Sequence, residues 1–354
     1  MQILKTIDGK IHHLKELDFI ERQLADLFSP ETFYQDLAKF LQERKEINFR
    51  KNFMSFKEME TIDKWVKEYF YNQIPEANTW LIRAYIVGRL LEASDRTASV
   101  FQLPEVVSLP KSIIEAAKTY NLTKVELNAL TEAMENAGLN ISNTTTNTIQ
   151  KVRQAVTEAI QQHEGWTGVE RRLKDLITED KGELNRDWKR VAIYETNAAF
   201  SNAYLCTLKD GDWVRGISMP DACEVCYDLI HNKIYQVTKN SPPGYDDSVN
   251  EDEYKKISKD WETKIWAGKS NIGRSSSSKK RIDKEIGNKK SNLKDRQHHE
   301  KSMPVIPMHP HCRCRWIKFN PKFEWIDKDG RLRLSIEDPE AHRVFYENLM
   351  SEAR

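Results

Sequence analysis

The sequence predicts an α+β protein, mainly helical, with an N-terminal helical bundle followed by a long helix and a small β-sheet region stapled by a Cys/His cluster. Three observations predict it. Through the first two hundred residues apolar side chains return every three or four positions, the period of a helix with one buried face. From Gly211 the pattern changes to short strands and turns. Lastly, Cys223-Glu-Val-Cys226 and His309-Pro-His-Cys312-Arg-Cys314 are two clusters of metal-ligating residue types, far apart in the chain and suited to meet at one point.

Leu14, Leu17, Ile20, Leu24 and Leu27 trace the first helix. Ser29-Pro30 ends it and opens the next, because proline lacks an N–H that a first helical turn would leave unbonded anyway. Ser55-Phe-Lys-Glu58, Thr123-Lys-Val-Glu126 and Thr167-Gly-Val-Glu170 each place a hydroxyl three residues before a Glu, the capping-box spacing, and predict three helix starts. Trp80, Leu81, Ala84, Tyr85, Val87, Leu90 and Leu91 supply the buried centre of the bundle. The polar run Asn140 to Asn147 interrupts the periodicity and separates a helical region, 1–140, from a second unit, 148–320. In that unit Val152, Val156 and Ile160 mark a long helix and Val169, Leu173, Leu176 and Ile177 a shorter one. A third helix runs from about Leu184 to Leu208.

Trp213, Val214 and Ile217, the knuckle at Cys223, and Ile234-Tyr235 read as short strands and turns. Residues 239–303 form an insert too poor in apolar residues to bury much surface, expected to be a mobile or partly helical loop. Its basic run, including Lys279, Lys280, Arg281, Lys289 and Lys290, offers charges to DNA phosphates. Asp283, Glu285, Asp295 and Glu300 interrupt that run, and the plainer reading is a solvated loop. Cys312, Cys314, Trp316, Ile317 and Phe319 follow. Trp325-Ile326 and Leu332 to Ile336 then flank the turn Asp329-Gly330, and Arg343 to Met350 predict a last helix, so that 321–354 is a C-terminal hairpin and helix.

The 354 residues are 39% hydrophobic and 31% charged, enough apolar material for a core within a polar exterior. No apolar run approaches the roughly 18 residues of a membrane span, and Met1 to Lys15 mixes Lys, Asp and His where a signal peptide would be apolar. Neither export nor a membrane segment is expected. A net charge of +1 gives no general attraction to nucleic acid, so any such contact must be local. The five cysteines are odd in number and none precedes Cys206. That argues against a disulfide framework and for a metal site in a reducing compartment.

A Cys-x-x-Cys knuckle turns two sulfurs toward one point, half of a tetrahedral zinc site. Cys312 and Cys314, two apart on an extended segment, point the same way, and His309 can curl in around Pro310. Zinc takes four ligands, so the candidate sets are Cys223, Cys226 and Cys312 with His309, or the same three with Cys314. His311 faces away from Cys312. The competing reading is a group of ordinary buried thiols, which is the reading taken for Cys206 on the apolar side of its helix. No open coordination position with an accompanying base is evident, which favours a structural ion over a catalytic one. Glu195 lacks a partner acid or base at a telling spacing and reads as a brace between its helix and the strand region. His298-His299 read as solvent-exposed.

In order and detail this pattern resembles the phage Mu F-like minor head proteins, or head morphogenesis proteins, over about residues 150 to 320. The resemblance rests on the helix Val191-Ala-Ile-Tyr-Glu195-Thr-Asn-Ala-Ala-Phe-Ser-Asn-Ala-Tyr204, then Trp213, Cys223-Glu-Val-Cys226, Leu229 and the closing His309-Pro-His-Cys312-Arg-Cys314. It implies a non-enzymatic virion component, made in the host cytoplasm and placed in the head interior or at the portal vertex. Portal, capsid or scaffolding proteins would be its partners, with packaged double-stranded DNA as a further one, and its roles would lie in head assembly and in DNA packaging or ejection. The competing classes are a zinc-stapled nucleic-acid-binding protein and a metal-dependent nuclease. The first usually has Cys-x-x-Cys in both halves, and the second needs a His base beside its metal, which is missing near Cys223.

Overall fold

Helices form where the periodicity and caps place them, and they enclose one of their own number. The computed structural model describes residues 15–44, 54–97, 104–177, 182–219, 222, 226–227, 230–239, 264–266 and 312–352. The helices are α1 (Lys15–Leu27), α2 (Pro30–Glu43), α3 (Phe56–Tyr71), α4 (Ile74–Thr97), α5 (Ile113–Tyr120), α6 (Lys124–Gln161), α7 (Gly165–Ile177) and α8 (Glu183–Thr207). The strands are β1 (Trp213–Ile217), β2 (Ile234–Thr238), β3 (Lys264–Trp266), β4 (Arg315–Phe319), β5 (Glu324–Ile326) and β6 (Leu332–Leu334), and α9 (Pro339–Glu352) closes the described chain. A mainly helical α+β architecture is what the patterning predicted.

Helix α8 is the axis. It packs against α1, α4, α6 and α7, and from Ala192 to Cys206 every residue is buried. Such a helix has no solvent stripe, so its polar residues Thr196, Asn197, Ser201 and Asn202 lie inside the protein beside Ala198, Ala199 and Ala203. Small residues let neighbours approach closely. At Gly88 of α4 an added Cβ would stand 2.3 Å from the backbone oxygen of Phe200, so that contact requires glycine.

Two of the three capping boxes form. Ser55 and Thr123 each accept from the N–H of the Glu three residues on, while Glu58 and Glu126 reach back to the cap N–H at 2.8 Å. The third does not: α7 starts at Gly165, two residues before Thr167. The reason is the short turn from α6, where His163 at φ 55° and Gly165 at φ 62° reverse the chain too early for Thr167 to act as the cap.

The polar run at 140–147 is likewise corrected. It interrupts nothing, because α6 passes through it as one helix of 38 residues. The hydroxyls of Thr145 and Thr148 donate to the carbonyls of Ile141 and Thr144, each at 2.8 Å, so their burial leaves no donor unmet. The Ser142 hydroxyl pairs with that of Tyr71 at 2.7 Å, and Asn140 donates to Glu195. Polarity here serves packing between helices. Apolar residues from both sides of the run belong to one core that extends from Leu17 to Trp316.

Glu126 does double duty. It caps α6 and accepts from the Arg89 guanidinium of α4 at 2.7 Å. Burial pushes its carboxyl up, but the Thr123 amide and hydroxyl and Arg89 outweigh that and hold it below the usual 4.5. Stability from a depressed carboxyl is present above the unfolded value and disappears as pH falls through the folded one. Glu126→Gln should therefore cost about 2 kcal/mol in urea unfolding at pH 7, the scale of a charged hydrogen bond. The gap between variant and wild type should close as the buffer is taken well below pH 4.5. A gap independent of pH would show that charge is not the cause.

The sheet runs β3-β2-β1-β4, with β1 antiparallel to β2 and β4, and β2 parallel to β3. Strand alternation puts Val214, Trp316 and Val237 on the face that joins the helical core, and Ile265 of β3 pairs with Val237 on that face. Trp213 and Phe319 lie on the other face, covered by Leu349 and Phe345 of α9. The β5–β6 hairpin turns at Gly330, at φ 75°. At Lys318 of the edge strand β4 the backbone N–H donates to the Tyr204 hydroxyl of α8 at 2.7 Å, which occupies part of that edge. Residues 264–266 correct the reading of 239–303 as loop, because Ile265, fully buried, gives the segment one strand's worth of core contact.

Candidate metal centre

Two segments converge on one buried point beside the helical core. Cys312 and Cys314 lead into β4, and Cys226 sits in the turn between β1 and β2; all three are buried. Their sulfurs lie within 4.8 Å of one another, and those of Cys226 and Cys312 are 3.6 Å apart, across 86 residues of sequence. A disulfide would need about 2.05 Å. Sulfurs each 2.3 Å from a tetrahedral ion are separated by about 3.8 Å, so the spacing suits three corners of such a site. The three cysteines can hold a metal ion.

Local structure fixes those corners. The turn carrying Cys226 docks on β1 at Gly216, which donates to the Lys233 carbonyl at 2.8 Å and accepts from the Asn232 N–H at 2.9 Å. A Cβ at Gly216 would stand 2.1 Å from the Ile230 oxygen, so glycine is what lets the turn seat there. Asn232, at φ 59°, completes the reversal and donates to the Gly330 carbonyl at 2.6 Å, tying the turn to the β5–β6 hairpin. His231 pairs through Nδ1 with the Ser218 hydroxyl at 2.9 Å and stacks on Tyr227. Burial and then Arg215 hold its imidazole below the usual 6.5, which favours the neutral ring. It supports the turn rather than joining the thiol cluster.

The thiols form a hydrogen-bonded group. Cys226 bonds to Cys314 and lowers its pKa, but the bond with Cys312 and burial outweigh that and push the Cys314 thiol well up. The Met219 backbone N–H also bonds to the Cys314 sulfur. A divalent cation would displace the thiol protons and reverse the balance, since thiolates are the ligands.

The sites read from sequence divide cleanly. Cys226, Cys312 and Cys314 meet, so Cys314, the alternative to His309 as fourth ligand, lies in the cluster. Cys223, His309 and His311 lie outside the described residues, as do Lys279, Lys280, Arg281, Lys289, Lys290, His298 and His299. Cys206 is buried in α8, as read. Glu195 is also buried and accepts a hydrogen bond from Asn140, which links α8 to α6.

Nothing in the periodicity pointed to the arginines around Cys314. Arg313 reaches Glu21 of α1 through Nε at 3.0 Å and Nη2 at 2.7 Å, and Asn197 of α8 donates to the other oxygen of Glu21 at 2.7 Å. Arg315 is 2% exposed and lies over the ring of Phe200, 5.1 Å from its centroid. The signal available in sequence was the alternation Cys312-Arg-Cys-Arg315, which places two arginines on the face of the extended segment opposite the cysteines.

No family model, curated protein or solved structure matches the chain. Its chemistry must be argued from its own residues. Among the described residues no helix is long and apolar enough to cross a membrane.

Proposed function

We propose that this chain is a Mu F-like minor head protein: a non-enzymatic virion component at the portal vertex or in the head interior, acting in head assembly and in DNA packaging or ejection. In this reading the cysteine cluster binds structural zinc and ties the segment before β4 to the turn after β1. The observation that carries it is the meeting of Cys226 with Cys312 and Cys314 across 86 residues, in the order that the resembling family uses. A cluster whose three described thiols are all buried suits a structural ion, because a catalytic one keeps a position open to water or substrate.

The partners proposed are portal, capsid or scaffolding proteins, with packaged double-stranded DNA as a further contact through the basic run of the insert. Mass spectrometry of purified procapsids and virions should detect the protein in both, at far fewer copies than the major capsid subunit. Its absence from both particles would reject the head-protein reading while leaving the metal centre to be judged separately.

A further inference from the structure

We propose that Cys226 and Cys312 form a modification site: hydrogen peroxide joins them as a disulfide, which ties the β1–β2 turn covalently to the segment before β4. This rests on the metal reading above for the reduced state alone, since the bond itself needs no ion.

Geometry selects the pair. The sulfurs of Cys226 and Cys312 are 3.6 Å apart, both side chains are buried, and bonding requires the sulfurs to close to about 2.05 Å. Cys312 is the cysteine placed to move. It stands ahead of β4, outside the strand ladder, whereas Cys314 directly precedes Arg315, the first paired residue of β4, and accepts from the Met219 backbone N–H. Cys312 and Cys314 share one extended run, so a bond between them would close a small, strained ring. Cys206 lies apart on α8, where it bonds to the Tyr85 hydroxyl.

Burial selects the oxidant. Enclosed sulfurs exclude bulky disulfides, but hydrogen peroxide, two oxygens in size, enters through the local openings that folded chains undergo. One sulfur attacks a peroxide oxygen, the O–O bond breaks, and a sulfenic acid forms with release of one water. The second sulfur attacks the sulfenic sulfur, the S–O bond breaks, and a second water leaves. Two thiols thus give up two electrons and two protons, and peroxide is reduced to two waters. A bound divalent cation loses two of its thiolates and departs. What remains is a covalent tie between residues 86 apart in sequence. On the head-protein reading the chain is made in a reducing cytoplasm and leaves it within a particle, and such a tie persists where thiols do not.

The full chain, treated with hydrogen peroxide in the presence of chelator and then denatured, should show three reactive thiols from its five cysteines. Mass spectrometry of the tryptic peptides should find Cys226 linked to Cys312 and Cys206 unmodified. Cleavage at Arg313 separates Cys312 from Cys314, and fragmentation separates Cys223 from Cys226. Dithiothreitol should restore all five thiols. In chelator the oxidised protein should melt on the order of 5 °C above the reduced one, because the bond restricts the unfolded chain.

A link through Cys223 or Cys314 instead, sulfinic acids without a link, or intact thiols where a free-cysteine control is consumed would each overturn the pairing. Equal melting of the two forms would overturn its role as a tie. If metal analysis finds no ion in the reduced protein and the Cys226–Cys312 bond still forms, the metal reading falls and the modification site stands.

Discussion

Cys312→Ser should lower the stability of the zinc-loaded protein by about 3–5 kcal/mol, the scale of losing one partner from a buried charged cluster. At roughly 2–4 °C per kcal/mol for a chain of this size class, the melting point should drop by on the order of 10 °C. The size follows from what the cysteine does. Cys312 lies beside Cys226 at 3.6 Å, so the cluster ties the segment leading into β4 to the β1–β2 turn, beside the pairing of β4 with β1. Loss of one thiolate leaves two of the three described sulfurs and weakens the hold on the ion against water. A chelator should produce most of the same drop in wild type and little further change in the variant. Zinc should also leave as the buffer is acidified, because protons compete for the thiolates. If the sulfurs are only packed thiols, chelator does nothing and Cys312→Ser costs no more than about 1 kcal/mol, one neutral hydrogen bond. Metal analysis alongside melting in chelator separates the two.

The cluster also shows what the sequence could reveal and what it could not. Spacing within the second segment was legible, because a Cys-x-Cys extended run aims both sulfurs to one side by local geometry alone. That the halves meet depends on β1 pairing with β4, a contact between residues about a hundred apart, and no local pattern encodes it. Helices were legible to the extent that one face was apolar, as along α1 with Leu17, Ile20 and Leu24. Reading failed where helices bury polar residues. The run from Asn140 to Asn147 has the composition of a loop, yet its hydroxyls are satisfied by the preceding turn of α6 and by Tyr71. Thr196, Asn197, Ser201 and Asn202 are likewise buried on α8, which neighbours surround; its span from about Leu184 to Leu208 was legible, and the burial of its polar residues was not, because amphipathic patterning shows a buried side only where another face is wet.

Trp188→Ala should be the most damaging single change among the helices, at about 4–5 kcal/mol in urea unfolding, the upper part of the range for a buried tryptophan. The reason is position as well as size. Trp188, 1% exposed on α8, lies between Phe28 and Phe70, with ring centroids at 4.8 and 4.2 Å and planes within 20° of parallel. Phe28 directly follows α1, Phe70 belongs to α3, and Phe70 also meets Phe33 of α2 at 4.9 Å. One indole thus joins four helices, and stacked pairs add about 0.5–1.5 kcal/mol each beyond the area they bury. Trp188→Phe distinguishes the stack from the volume. It keeps an aromatic face against both neighbours and deletes Nε1, which is buried and has no hydrogen-bond partner. Removing an unmet donor recovers part of what the smaller ring loses, so the phenylalanine variant should stay within about 1.5 kcal/mol of wild type. A shift in urea midpoint with an unchanged slope would locate both effects in the folded state. If Trp188→Ala cost under about 1 kcal/mol, an ordinary surface change, the aromatic stack would not be the joint that holds α8 among its neighbours.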